Sequence, residues 1–181
     1  MAHDSRWTRW ARWWRHRWSP DDAATRAVPD DMAGRLAQRI AASEARHSGE
    51  LVVCVEGALP NSYLARAGAT EPLDAVVRQR ALAWFGKLRV WDTEGNNGVL
   101  IYLLLVERRI EIVADRGLSQ RVDAAHWQAV VQRLGQALQQ GDVETGLTQA
   151  LEEVSAPLMA HFALPEGATN PNELSDRVWR V

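Results

Sequence analysis

The chain has 181 residues, 46% of them apolar and 24% charged, which bounds it to one globular domain with an appendage. Its single cysteine, Cys54, excludes an intramolecular disulfide, thiolate zinc fingers and protein-held iron–sulfur clusters, and fits a reducing compartment. Net charge is −2, yet residues 1–18 hold five Arg against one Asp, so the other 163 residues carry −6, which argues against nucleic-acid binding by the body and draws attention to the arm.

Residues 6–18 hold five of the nine Trp. On a helix Trp7, Trp10, Trp14 and Trp18 fall within about 80° of one another, with Arg9, Arg12, Arg15 and His16 on the opposite side. Residues 1–19 are therefore expected to be an amphipathic Trp/Arg arm. Two fates suit it: an interfacial helix that finds an anionic membrane surface or a membrane-protein partner, or an extra core helix with the four Trp packed on the domain. The arm has no apolar h-region and no small-residue cleavage site, so a secretory signal is not expected. The cytoplasm, at the inner face of the membrane, is the expected location. Residues 20–30 have the small, polar and Pro composition of a linker.

A domain is expected over 31–164. Asp30 or Asp31 can cap a helix over about 31–47, with Met32, Leu36 and Ile40 at helical spacing. Leu51 to Val55 reads as a buried strand, 57–71 as a loop, and Leu73 to Leu88 as a helix entered through Pro72. The turn-rich segment 92–98 feeds Val99 to Val106, eight apolar residues where a bilayer-spanning helix needs about twenty. Glu107 to Arg109 then join it to a strand over Ile110 to Asp115 in a hairpin. Val122 to Leu138 and Val143 to Leu158 carry helical stripes separated by Gly141, with Asp142 a candidate cap. The tail, 165–181, is polar and expected on the surface. A β-α-β crossover makes the first two strands parallel and the hairpin adds an antiparallel neighbour. The expected fold is an α/β sandwich with a mixed sheet and helices on both faces.

Catalytic signatures are mostly absent: there is no phosphate-binding Gly-x-x-x-x-Gly-Lys loop and no Gly-x-Ser-x-Gly elbow. Cys54 lacks the Arg of a Cys-x5-Arg phosphatase, since Pro60 stands there, and reads as a core thiol. Three polar groups remain. Asp92, Glu94, Asn96 and Asn97 recur before the strand at 99, as a loop offering oxygens to a hard cation such as Ca²⁺ would, although the same residue types also build a tight turn. Asp115 should return to that end of the sheet. Glu44, His47 and Glu50 bracket the first helix-to-strand junction, either as a cooperating cluster or as a solvated helix end. His47 and His126 are the ring candidates for proton transfer in the body.

The stretch from Leu88 through Asp92-Thr-Glu-Gly-Asn-Asn-Gly98, followed by Val106-Glu-Arg-Arg-Ile-Glu-Ile-Val-Ala-Asp-Arg-Gly117, resembles the TPM domain over about residues 31–176. More narrowly, Ser43-Glu-x-x-His-x-Gly-Glu50 and Asn172-Glu-Leu-x-Asp176 resemble the short bacterial members without a signal peptide. The resemblance implies an α/β sandwich and carries Asp92, Glu94, Asn96, Asn97 and Asp115 over as candidate metal ligands. It also implies an accessory or interaction role, with a cation-dependent acid-phosphatase-like hydrolase as the alternative. Ala114-Asp-Arg-Gly117 departs from the Gly-Tyr-Gly of the secreted and thylakoid branches.

Overall fold

The computed structural model describes residues 5–165 and 167–181; the first four residues of the expected arm, the side chain of Arg6 and Glu166 of the tail lie outside the described residues. The elements, in chain order, are α1 (Arg6–Arg17), α2 (Ala23–Ala27), α3 (Asp30–Glu44), β1 (Leu51–Glu56), α4 (Asn61–Leu64), α5 (Leu73–Lys87), β2 (Val99–Leu104), β3 (Arg109–Ala114), α6 (Arg116–Ser119), α7 (Ala124–Gln140), α8 (Val143–Phe162) and β4 (Trp179–Arg180).

The four strands form one mixed sheet in the order β3-β2-β1-β4. β1 and β2 run parallel with Leu51 opposite Val99 and Glu56 opposite Leu104, and the hairpin sets Val99 against Ala114 and Leu104 against Arg109. Every residue of β1 and β2 is buried, as strands covered on both faces must be. Alternate side chains serve two cores. Val53 and Ile101 point to the side of Leu36, Ile40, Leu134 and Leu158, whereas Cys54 and Tyr102 point to that of Val76, Val77, Ala81 and Trp84. Glu56 fastens α5 to the sheet: its buried carboxylate accepts bonds from Arg80 Nε, Trp84 Nε1 at 3.0 Å and the Tyr102 hydroxyl at 2.6 Å.

Several local expectations need correction. The stretch read as a linker contains α2, whose Ala24 is in the core together with Val28. Pro29 occupies the N-cap of α3, pre-set in extended geometry, so Asp30 and Asp31 act from the first turn. The loop over 57–71 includes α4, begun by Pro60. The hairpin turn starts earlier than expected, because β2 ends at Leu104 and Arg108 adopts φ 51°. Gly141 does end α7, at φ 86°, but Asp142 makes no side-chain cap bond. The tail is not merely superficial. Val178 is buried, and β4 adds a short parallel strand with Cys54 opposite Trp179.

Candidate functional site

Two polar assemblies sit at opposite ends of β2, one at the hairpin turn and one ahead of Val99. Six residues of strand separate them, about 20 Å.

At the turn end, α1 lies on the body with its polar edge inward. Arg12 and His16 are buried at 6% and 5% exposure, and both reach Glu107 in the hairpin turn. His16 Nε2 is 2.9 Å from Glu107 Oε1, while His16 Nδ1 accepts from the backbone N–H of Leu59 at 2.9 Å. Since Nδ1 accepts, Nε2 holds the ring proton and donates it to the carboxylate. Arg15 adds a bond to Glu107 at 3.2 Å, and Arg12 donates to the carbonyl of Ala67 at 3.2 Å. Burial would raise the Glu107 pKa, but the His16 hydrogen bond and the Arg15 and Arg12 charges hold it below the usual carboxylate value. The indoles therefore face outward. Trp7, Trp10, Trp14 and Trp18 are 80%, 57%, 38% and 75% exposed, which overturns their expected alternative as a core helix. Trp13 joins them, and successive rings meet with centroids 5.4–6.3 Å apart in three edge-to-face pairs and one tilted pair.

At the other end, the 92–98 loop closes against the start of α6. Gly117 N donates to the Asn96 carbonyl at 2.8 Å, and a Cβ on Gly117 would come within 2.5 Å of the Gly95 and Asn96 oxygens. Asn96 takes φ 49°, which Asn tolerates, and its Oδ1 accepts from Arg116. Asp92 pairs with Arg89, and Asp115 caps α6 by accepting from Arg116 N at 2.7 Å. Asn97 is fully buried and donates to Ser48 Oγ at 3.2 Å. Two oxygens here, Asn97 Oδ1 and Asp115 Oδ2, are buried without a hydrogen-bond partner. Asp115 thus returns to the end of the sheet where Asp92 and Glu94 stand. Among the described residues no group of three or more His, Cys, Asp and Glu is arranged to hold a metal ion.

The Glu44, His47 and Glu50 group joins this same end. Glu50 receives the backbone N–H groups of Glu173 and Leu174, and Glu173 in turn accepts from Glu94 N at 3.3 Å. Asn170 donates to the carbonyls of Glu44 and His47. Glu44 Oε1 accepts from Leu51 N at 2.7 Å, and burial pushes its pKa up to about 9. Its other oxygen and Asp176 Oδ1 are buried without a donor, and the neighbouring Asp176 carboxyl adds to the upward push on Glu44. A proton retained by Glu44 would supply the donor that both oxygens lack. Burial also raises Glu50 and lowers His47 to about 4, so the His47 ring is neutral, with Nδ1 3.1 Å from the Gly49 oxygen and Nε2 3.0 Å from Ser43 Oγ. These residues are buried in the fold rather than on a solvated helix end. His126 stands apart, its Nε2 3.2 Å from the Glu153 carbonyl.

The TPM-domain profile matches residues 25–156, nearly three quarters of the chain. The chain belongs to the TPM-domain family. A similar solved structure is the NMR structure of the BA42 protein from the psychrophilic bacterium Bizionia argentinensis, with a TM-score of 0.70, 21% identity, and coverage of 85% of this chain and 95% of that one. A comparison with curated proteins gives no match. In this TPM domain Glu107 and Asn170 are the residues of the two polar assemblies that sequence patterning does not reveal. Each acts on a partner more than 90 positions away, although one signal for Glu107 exists: it is the acid of a turn otherwise flanked by Arg108 and Arg109. Among the described residues no helix is long and apolar enough to cross a membrane.

Proposed function

We propose that this TPM domain is a peripheral module of an anionic membrane surface, held there by α1. The observation that carries the reading is the inverted docking of the arm, which spends its His16 and Arg12 on Glu107 and leaves five indoles in water. Trp rings favour the headgroup boundary, and a contiguous exposed aromatic patch marks an interaction surface. Arg9 and Arg17, both exposed, add about 1 kcal/mol each near an anionic surface. The polar end then faces away from the bilayer, toward the interior of the cell. Co-sedimentation of the full chain tests this: it should pellet with phosphatidylglycerol vesicles at low salt and much less with phosphatidylcholine. Failure to pellet, or self-association of the arm in place of vesicle binding, would refute it.

A second reading is favoured by the unpartnered Asn97 Oδ1 and Asp115 Oδ2. Oxygen atoms buried without donors suit a weakly held hard cation such as Ca²⁺, with Asp92, Glu94 and Asn96 contributing to the same loop. A cation-dependent phosphomonoesterase activity would depend on that loop. Loss of turnover of a small phosphoester in Asp92→Ala would support it, and equal turnover in the two proteins would reject it.

A further inference from the structure

The seam between α3 and α8 carries an open groove of about 380 Å³, at the small end of ligand clefts. Arg39 and Ser43 line it from α3 and Arg46 from the turn that follows; Thr148 and Glu152 line it from α8, with Ala42 and Leu151 between them. Hydroxyl groups lie beside it. Ser43, 4% exposed, lies 2.6 Å from Oγ of the fully buried Ser155, and Arg46 Nη2 reaches Ser155 Oγ at 3.5 Å. Thr148 Oγ1 is buried with no hydrogen-bond partner. Among the described residues neither Arg39 nor Arg46 forms an ion pair with a carboxylate, although both are exposed and most other Arg on the body are paired. Helix seams normally close with apolar side chains, and a buried hydroxyl without a partner is unfavourable.

We propose that this groove binds a phosphate-like dianion. Guanidinium groups are the preferred partners of phosphate oxygens, and Arg39, one helical turn before Ser43, and Arg46, in the turn after α3, both line the groove. Thr148 supplies a hydroxyl donor that nothing in the fold uses. Glu152 opposes an anion from the same rim, so removing its charge should tighten binding. The proposal is independent of the membrane reading, because α1 docks on the hairpin turn and the 59–67 segment.

The test is a titration of the full chain with inorganic phosphate, followed by amide chemical shifts, against chloride at equal ionic strength. Saturable shifts at Ser43, Arg46 and Thr148 are expected. Arg46→Gln should weaken binding about tenfold, and Glu152→Gln should tighten it about twofold. Glu152 is exposed and Arg46 gives the fold only one long bond to Ser155, so both variants should remain folded. Linear shifts of equal size in wild type and Arg46→Gln, or weaker binding in Glu152→Gln, would overturn the site. Phosphatidylglycerol vesicle binding should be unchanged in Arg46→Gln. A drop there would assign the groove to a lipid headgroup and overturn the soluble dianion.

Discussion

His16 Nε2 and Glu107 Oε1 stand 2.9 Å apart across 91 residues of sequence, and this contact decides which side of the arm meets water. Glu107 holds the polar edge of α1 inward by collecting His16, Arg12 and Arg15 at one oxygen.

Glu107→Ala leaves Arg12 and His16 buried without their acid, so the arm should undock while the sheet remains folded. The loss of docking is expected to cost on the order of 3 kcal/mol. Hydrogen exchange of the 6–17 amides measures it. Protection equal to wild type would show that Glu107 is not the anchor.

Glu44 has a folded pKa near 9 against an ordinary value of 4.5, so the native state holds a proton that the unfolded chain releases. Its contribution is fully present below pH 4.5 and is lost as pH rises through 9. Gln keeps the Leu51 bond and offers its own donor to Asp176. Glu44→Gln should therefore raise stability by roughly 2 kcal/mol at pH 8 and by almost nothing at pH 4. Urea unfolding at the two pH values reads this; a gain independent of pH would contradict it.

His47 gives the opposite slope. Its folded pKa, about 4, lies below the ordinary 6.5, so the unfolded chain binds the extra proton and stability falls as pH drops from 6.5 through 4. In a Glu44→Gln background, where the competing slope is gone, this should emerge as a fall on the order of 2 kcal/mol. A flat profile across that window would contradict a neutral buried ring.

Gly117→Ala tests the closure of the 92–98 loop. Its Cβ would sit 2.5 Å from two backbone oxygens, so the loop must shift at a cost of about 1–3 kcal/mol. Altered amide shifts at Gly95, Asn96 and Asn97 are expected, with the distant arm unaffected. Wild-type shifts there would mean the contact is not tight.

The sheet was legible because β2 is an uninterrupted apolar run, β1 is one up to Val55, and a short charged turn joins β2 to β3. Polar tail composition hid β4, since a two-residue strand, Trp179–Arg180, carries no period. The arm's periodicity was plain, but which face would dock depended on Glu107, and no local pattern reports a partner 91 positions away. The same holds at the other end of β2. Asn97 and Ser48 are bonded across 49 residues, so the loop and the Glu44–Glu50 junction read as two clusters in sequence and form one polar end in the fold.

Tryptophan emission in the presence of vesicles tests the central claim most directly. Full-length protein added to phosphatidylglycerol vesicles should show a blue shift and strong quenching by lipids brominated along the acyl chain. Both effects should be largely lost when Trp7, Trp10, Trp14 and Trp18 are changed to Ser, positions whose exposure leaves the body's core untouched. An emission spectrum that does not move at saturating lipid, or quenching that survives the four substitutions, would contradict an arm docked with its indoles toward the bilayer.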